Sequence, residues 1–226
     1  MSPESPTSAR VKICGLSTEA TLTAALEAGA DWIGLVHFPR SPRHVTLAQA
    51  ATLSVLARGR AERVVLLVDP DDDVIAAAVA AVDPDLIQLH GRESPARVAA
   101  IRALAGRPVM KALGIATRAD LAVLHDYASV ADRILLDAKA PPDAALPGGN
   151  GRRFDWEILR GAALPPGTML SGGLDAGNVA EALMRTGIGA VDVSSGVEVA
   201  PGVKDPDKIA AFVMAARAGM NLPVTR

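Results

Sequence analysis

The stretch RVKICGLSTEATLTAALEAG, residues 10–29, contains one complete unit of the pattern that runs through this chain. The run Arg10–Cys14 is short, largely apolar and partly β-branched, which predicts a strand. Ser17 or Thr18 then stands where it can cap an Ala-rich helix that ends at Gly29. The stretch therefore predicts a buried strand followed directly by a helix.

The same unit of strand and helix recurs along the whole chain. Short runs predict strands at Arg10–Cys14, Trp32–Phe38, Arg63–Val68, Leu86–His90, Val109–Leu113, Arg133–Asp137, Thr168–Ser171 and Ala190–Ser194. Helical patterns lie between them at Thr18–Ala28, Leu47–Arg58, Asp73–Val82, Pro95–Ala105 and Ala176–Arg185, and Lys208–Arg217 is expected to form the eighth helix. Eight repeats predict a single (β/α)8 TIM barrel, with a doubly wound open sheet as the alternative.

Length and composition limit the class of protein. The chain has 226 residues, 50% of them hydrophobic, and a net charge of −2, which suits one barrel domain over 1–226 and gives no basic face for nucleic acid. Residues 1–9 are polar, which predicts a flexible extension rather than a secretory signal. No apolar run approaches the roughly 20 residues of a membrane span. The single cysteine, Cys14, excludes an internal disulfide and favours a cytoplasmic location.

Polar residues at the carboxyl ends of the strands are the candidates for chemistry, because barrel enzymes carry their active sites there. Side chains alternate along a strand, so Lys12 and Cys14 share one face, and so do Arg133 and Asp137. Cys14 and Asp137 are therefore expected across the barrel mouth from each other, as a candidate base and acid. The alternatives are an inert buried thiol and a carboxylate that only caps its own loop.

Two glycine-rich segments, SGGL (171–174) and SSGVE (194–198), follow the seventh and eighth strands. Backbone N–H groups in such loops bind anions, and barrel enzymes often bind phosphate at this place. Either segment alone is also compatible with simple turn formation. The two together predict a phosphate site.

Two arginines and a long irregular stretch supply further candidates. Arg40 and Arg43 follow the second strand, and they are either solvated loop charges or a clamp for a substrate carboxylate. The stretch Lys139–Arg153 is rich in Pro and Gly, which predicts a functional loop or a flexible insertion.

A series of motifs runs along nearly the whole chain: VKICGL (11–16), SPRHVT (41–46), IQLHG (87–91), LLDA (135–138), GGNGRRFDW (148–156), LSGGL (170–174) and VDVSSGVE (191–198) followed by PGVKD (201–205). In this order they resemble the phosphoribosylanthranilate isomerase family. The first and the last are the most specific. The resemblance implies an isomerase of tryptophan biosynthesis that acts without cofactor or metal on a small phosphosugar-anthranilate substrate, as a monomer or homodimer.

The resemblance also implies roles for individual residues. Asp137 would protonate the furanose ring oxygen, and Cys14 would remove the proton from sugar C2 in an Amadori rearrangement. The pKa of Cys14 is expected to be modestly lowered, and Lys12 is a candidate to favour the thiolate. The implied binding residues are Arg43 for the anthranilate carboxylate, His90 beside the substrate, and Gly149, Gly173, Ser194, Ser195 and Gly196 around the phosphate, supported by Asp192.

The sequence departs from the family pattern in a few places. Asn150 stands where the family has threonine, Val65–Leu67 replaces a glycine-valine-phenylalanine strand, and His37 replaces an apolar or aromatic residue. These departures concern the aromatic pocket and the loop after strand six.

Three other functions are consistent with parts of the sequence. A metal-dependent phosphosugar epimerase would use His37, Asp69 and His90 as ligands. A barrel that kept its anion site would serve as a binding or assembly subunit. A bifunctional isomerase that also acts in the histidine pathway would carry paired aspartates on strands one and six, and Cys14 argues against it.

Overall fold

The computed structural model describes residues 8–140, 148–149, 151 and 153–219. Within them, eight parallel strands close into a barrel, each paired with the next and the last with the first. The strands are β1 Arg10–Cys14, β2 Trp32–Val36, β3 Glu62–Leu67, β4 Leu86–Leu89, β5 Val109–Ile115, β6 Arg133–Ala138, β7 Met169–Leu170 and β8 Ala190–Val193. The predicted (β/α)8 barrel is confirmed, and the alternative of an open sheet is wrong because β8 pairs with β1.

The helices follow the strands along the chain, and the first four begin after residues whose side chains cap them. They are α1 Glu19–Glu27, α2 Leu47–Ala57, α3 Asp72–Val82, α4 Pro95–Ala105, α5 Leu124–Ala128, α6 Val179–Thr186 and α7 Pro206–Gly219. Thr18, one of the two predicted caps, accepts a hydrogen bond from the Thr21 backbone at the start of α1. Gly187 ends α6 in the left-handed conformation, as glycine commonly does.

No helical pattern was predicted after the sixth strand, and the described residues of this connection contain a short 3-10 turn, Trp156–Leu159. The helix after the fifth strand begins as another 3-10 segment, Arg118–Val123, before α5. The predicted eighth helix is α7, which follows β8 and extends two residues beyond Lys208–Arg217 at each end. The strand and helix pattern is therefore least regular beside β6, where the long loop also lies.

Alternation along the strands divides the side chains between two environments. Ile134 and Leu136 on β6 pack outward against the helices, whereas Leu135 lies in a compact layer inside the barrel. The other members of this inner layer are Trp32, Val64, Leu86, Met110, Ala112, Met169 and Ala190. The layer forms the floor beneath the carboxyl ends of the strands, so the mouth is closed from below by packed side chains.

A small hairpin follows the barrel, and the sequence pattern did not predict it. A 3-10 turn, Ser195–Val197, continues into the antiparallel strands β9 Glu198–Ala200 and β10 Val203–Lys204. Glu198 and Lys204 are paired across this hairpin. The hairpin thus places an acidic and a basic residue beside the mouth of the barrel.

Two expectations fall partly outside the described residues. Of the expected extension at 1–9, residues 1–7 lie outside them, whereas Ala9 is buried and its carbonyl accepts a hydrogen bond from Arg217. Of the stretch Lys139–Arg153, residues 141–147, 150 and 152 lie outside them, and so does the departure at Asn150. Among the described residues, no helix is long and apolar enough to cross a membrane.

Candidate active site

One cavity opens at the carboxyl ends of the barrel strands, with a volume of about 790 Å³ that includes part of the open solvent. The predicted site residues that line it are Cys14, Arg43, His90, Asp137, Gly149, Gly173, Asp192, Ser194 and Ser195. Gly196 lies just behind this wall, where any side chain would overlap the Leu174 carbonyl oxygen. The fold therefore brings together, in one place, residues from strands that are distant in the sequence.

Cys14 lies at the end of β1 on an apolar wall of the cavity. Val36 and Leu66 are its buried neighbours, and Phe38 and Val68 pack against them. Leu66 belongs to the departure at Val65–Leu67, so that departure contributes an aliphatic side chain to the cavity. Cys14 is 4% exposed, but it lines the cavity rather than the helix-facing core.

The electrostatic environment of Cys14 differs from the expectation. Burial raises the pKa of the Cys14 thiol, and although the Lys12 ammonium lowers it, the Asp192 carboxylate opposes Lys12. The net direction is upward, so the predicted modest lowering is wrong for the unliganded protein. The physical reason is that burial destabilises the thiolate by more than the nearby Lys12 and Lys204 ammonium groups stabilise it.

Lys12 is held by an ion pair inside the barrel rather than merely filling it. Its Nζ lies 2.8 Å from Asp192 Oδ1, and Ser171 Oγ donates to the other carboxylate oxygen at 3.0 Å. Burial lowers the pKa of Lys12, but Asp192 and Cys14 raise it more, so the ammonium stays charged. Gly34 on β2 makes room for this group, because a Cβ there would lie 3.0 Å from both Lys12 Nζ and Cys14 Sγ.

Asp137 belongs to a chain of polar contacts on the opposite wall. Its Oδ2 lies 3.2 Å from His90 Nε2, and His90 Nδ1 lies 3.1 Å from Gln88 Nε2. If Gln88 donates to Nδ1, the Nε2–H of His90 donates to the Asp137 carboxylate. Asp137 Oδ1 also accepts a hydrogen bond from the Ala138 backbone. One carboxylate oxygen of Asp137 therefore caps its own loop, as the alternative predicted, and the other contacts His90. A side chain at Gly148 would overlap this pair.

Arg43 is buried, at 6% exposure, whereas Arg40 is exposed. The alternative of a solvated loop charge is therefore wrong for Arg43 and correct for Arg40. The Arg43 guanidinium is paired with Glu198 through two hydrogen bonds of 2.7 and 2.9 Å. Neither Glu198 nor its partner Lys204 was identified as a site residue. Both lie in the motifs VDVSSGVE and PGVKD, but the sequence does not show that they pair with Arg43.

The two glycine-rich segments meet beside β7 and β8. Gly172 and Gly173 have φ values of +89° and +64°, which L side chains rarely adopt. The Gly173 N–H has no acceptor within the described part of the chain. The other segment turns at Ser194, whose Oγ donates to the Cys14 carbonyl at 3.2 Å, and continues into the turn at Ser195–Val197. This arrangement suits a phosphate dianion, because both glycine-rich segments line the same cavity and the backbone N–H groups of such loops bind anions.

The structure does not assemble the candidate metal ligands of the epimerase alternative. His37 Nδ1 faces the Val45 carbonyl, Asp69 accepts from the Arg92 backbone, and His90 contacts Asp137. Across the described residues, no group of three or more His, Cys, Asp or Glu side chains is placed to hold a metal ion. The geometry therefore gives that alternative no support.

Fold and site together define a (β/α)8-barrel isomerase of the phosphosugar type. The family model for N-(5'phosphoribosyl)anthranilate (PRA) isomerase matches residues 11–215, and the chain belongs to this family. It is 66% identical over 210 residues to an N-(5'-phosphoribosyl)anthranilate isomerase of Azorhizobium caulinodans, covering 92% of this chain and 91% of the relative. A relative from Rhodopseudomonas palustris with the same name is 62% identical, over 95% of this chain and 98% of its own length.

Solved structures agree with this assignment. Phosphoribosyl anthranilate isomerase from Thermotoga maritima superimposes with a TM-score of 0.83 at 35% identity, covering 93% of this chain and 99% of that one. A phosphoribosyl anthranilate isomerase in complex with reduced 1-(o-carboxyphenylamino)-1-deoxyribulose 5-phosphate gives a TM-score of 0.78 at 32% identity, with the same coverage. A 3-hexulose-6-phosphate synthase, at 17% identity and a TM-score of 0.63, shares the fold.

Proposed function

We propose that this chain converts N-(5'-phosphoribosyl)anthranilate into 1-(2-carboxyphenylamino)-1-deoxyribulose 5-phosphate, a step of tryptophan biosynthesis, with Asp137 as general acid and Cys14 as general base. The observation that carries the proposal is the single cavity that a thiol and a carboxylate line from β1 and β6. An arginine and the paired glycine-rich segments lie on the same cavity, where they suit the two anionic ends of this substrate.

The first step opens the sugar ring. Asp137 gives its proton to the furanose oxygen, the bond between that oxygen and C1 breaks, and the amino nitrogen forms a double bond to C1. The product is an open-chain iminium cation beside an ionised Asp137. Because His90 Nε2 lies 3.2 Å from Asp137 Oδ2, it can donate a hydrogen bond to the carboxylate that this step creates.

The second step moves the double bond. The Cys14 thiolate takes the proton from C2, and the electrons of that C–H bond form a C1–C2 double bond while the iminium nitrogen becomes neutral. The resulting enolamine then tautomerises to the ketone. The iminium cation lowers the pKa of the buried Cys14 thiol. The thiol therefore loses its proton to solvent more readily once the ring has opened, which gives the thiolate that acts as base.

Binding is divided between two groups of residues on the cavity. Arg43 holds the anthranilate carboxylate, and the backbone at Gly149, Gly173, Ser194, Ser195 and Gly196 surrounds the phosphate. Asp192 supports these phosphate-binding residues indirectly, because its carboxylate accepts hydrogen bonds from Lys12 and Ser171. We place the enzyme in the cytoplasm, where a lone cysteine stays reduced, as a monomer or a homodimer that binds no nucleic acid.

The direct test mixes the purified protein with freshly prepared N-(5'-phosphoribosyl)anthranilate and follows the loss of its fluorescence. The expected result is rapid loss without release of free anthranilate, because isomerisation keeps the carbon skeleton whereas spontaneous hydrolysis does not. Loss no faster than in buffer alone would overturn the proposal. Tight binding without turnover would favour the alternative of a binding subunit.

A further inference from the structure

We infer that Glu198 is the positioning residue of the carboxylate subsite: it holds the Arg43 guanidinium so that one edge, Nη1, faces the cavity, and it thereby makes the site selective for an aromatic substrate that carries a carboxylate. The inference rests on the proposed function. It adds a residue on the hairpin after the barrel to the machinery that selects the substrate.

The first observation is how Arg43 is already bonded. Its Nε donates to Glu198 Oε1 at 2.7 Å, and its Nη2 donates to Glu198 Oε2 at 2.9 Å and to the Gly149 carbonyl at 3.3 Å. Within the described residues, Nη1 has no acceptor. A fork of two parallel bonds fixes the plane of a guanidinium. The edge of Arg43 that remains for a ligand is therefore set by Glu198.

The backbones of two glycines pass close to the Arg43 side chain and restrict its position. A Cβ at Gly15 would lie 2.7 Å from Arg43 Cδ, and a Cβ at Gly149 would lie 2.6 Å from Nη1. Both glycines have positive φ, at +82° and +70°, so their backbones pass close to Arg43 in a conformation that other residues adopt only with strain. A side chain at Gly149 would therefore overlap Nη1, the nitrogen that this subsite offers to a ligand.

The charges of this cluster call for one anionic ligand. Lys204 Nζ lies 2.7 Å from Glu198 Oε1, so one carboxylate lies between two cations, and all three side chains are nearly buried. Burial raises the pKa of Glu198, but Arg43 and Lys204 lower it further, so Glu198 stays ionised. Burial lowers the pKa of Lys204, and Glu198 opposes this change. With Lys204 in its ammonium form, the two cations and the one carboxylate leave a single positive charge, which a monovalent carboxylate neutralises when it binds.

Lys204 connects this subsite to Ser194, at the beginning of the glycine-rich segment SSGVE. Its Nζ also donates to the Ser194 carbonyl at 2.9 Å. The hairpin thus attaches the carboxylate subsite to a residue that lines the proposed phosphate site. Glu198 is placed to maintain the spacing between the two anionic groups of one substrate, which is what selectivity for a phosphosugar-anthranilate requires.

The test is a binding cycle with two ligands and matched variants. The ligands are reduced 1-(2-carboxyphenylamino)-1-deoxyribulose 5-phosphate and the same compound without the aromatic carboxylate. The first variant is Glu198→Gln. The second variant combines Glu198→Gln with Lys204→Gln, which keeps the cluster at one positive charge if the first variant fails to fold. Glu181→Gln, at an exposed glutamate on α6, is the control.

In the wild type and the control, the carboxylated ligand is expected to bind about ten- to a hundredfold more tightly, as a charge-assisted hydrogen bond predicts. In both Glu198 variants this preference is expected to fall below about threefold. Binding of the ligand without carboxylate is expected to change little in Glu198→Gln, because its phosphate contacts remain. The two ligands therefore separate selection of the carboxylate from general damage to the site.

A preference that stays within twofold of the wild-type value would overturn the inference, and so would a parallel loss of affinity for both ligands. Turnover is measured separately. If the wild type prefers the carboxylated ligand but does not isomerise the substrate, the proposed function fails while the role of Glu198 in recognition is still decided by the variants.

Discussion

Cys14 combines two properties at the scale of a single residue: it lines the open cavity, yet its thiol is surrounded by protein. Burial raises its pKa, Lys12 lowers it, and Asp192 partly cancels Lys12 because the two form an ion pair. A base in this environment is weakly populated as thiolate in the free enzyme. In the proposed mechanism, the thiolate fraction therefore depends on the positive charge that appears on the substrate during the reaction.

This arrangement predicts how Cys14 reacts with iodoacetamide. Labelling of the free enzyme is expected at one site, with complete inactivation, and its rate is expected to increase with pH beyond the ordinary thiol pKa of about 8.5, because the thiolate is the nucleophile. Asp192→Asn is expected to accelerate labelling at pH 8, since it removes the carboxylate that opposes Lys12. Rates are measured by mass spectrometry from pH 6 to 10.

The control for this prediction is Asp73→Asn, which changes an exposed aspartate on α3 and is expected to leave the labelling rate unchanged. The reduced product analogue is expected to protect the wild type by covering the sulfur. Labelling only after unfolding, or a rate that levels off below pH 8, would show that the thiol is an inert core group or an unusually acidic one.

Asp137→Asn tests the acid. The amide keeps the shape of the side chain and its contact with Ala138 but has no acidic proton for the ring oxygen. We expect kcat to fall by about 10²–10⁴-fold, the usual contribution of a general acid, with an unchanged melting temperature. Asp126→Asn, at an exposed aspartate on α5, is the control. A kcat within a few-fold of the wild-type value would remove Asp137 from the mechanism.

At the scale of elements, the connection between β4 and α4 is held by a buried ion pair. Glu93 and Lys111 meet at 2.7 Å with side chains that are 1% and 2% exposed. Lys111 also donates to the Gly91 carbonyl at 2.7 Å, and Glu93 accepts from the backbone of Asp69 and Gly91. These bonds hold the segment directly after His90, so they stabilise one wall of the cavity.

Glu93→Leu is expected to lower the free energy of unfolding by about 3–5 kcal/mol, because it leaves the Lys111 ammonium buried without its counter-charge. Urea denaturation followed by circular dichroism measures the loss. Glu157→Leu, which breaks an exposed pair with Arg185, is the comparison and is expected to change stability by at most about 1 kcal/mol. Equal effects of the two substitutions would contradict the structural role assigned to the buried pair.

At the scale of the whole molecule, closure of the barrel places the segments after β7 and β8 on the same cavity as β1 and β6. Any ligand that binds the folded chain there stabilises it against unfolding. Inorganic phosphate at about 100 times its dissociation constant is expected to add about 2.7 kcal/mol, which raises the melting temperature of a chain of this size by roughly 5–10 °C. Differential scanning fluorimetry measures the shift against chloride at equal ionic strength.

Gly173→Asp and Gly173→Asn separate charge from shape in this experiment. Both residues tolerate the left-handed conformation of position 173 better than other side chains, but only aspartate places a negative charge beside the anion. The phosphate effect is expected to be lost with aspartate and retained in part with asparagine. Equal protection in the wild type and Gly173→Asp would move the anion site elsewhere.

The sequence by itself determined the barrel, because the apolar strands, their capped helices and the glycines that end them are local signals repeated in order. Alternation along β1 and β6 also predicted that Lys12 lies on the same face as Cys14, and that Asp137 faces the barrel interior. The glycine-rich segments indicated two strand ends that line the same cavity, and the anion site proposed there stays a prediction. Local chemistry and periodicity are sufficient for these conclusions, since each depends on a few neighbouring residues.

Only the tertiary structure decided what surrounds each group. The pKa of Cys14 depends on burial and on Asp192, which lies on β8, so the expectation of a lowered value was wrong. The pairing of Arg43 with Glu198 joins positions 155 apart along the chain, and no periodic pattern connects them. Solvent exclusion and long-range charge pairing are properties of the closed barrel, and a strand or loop taken alone does not contain them.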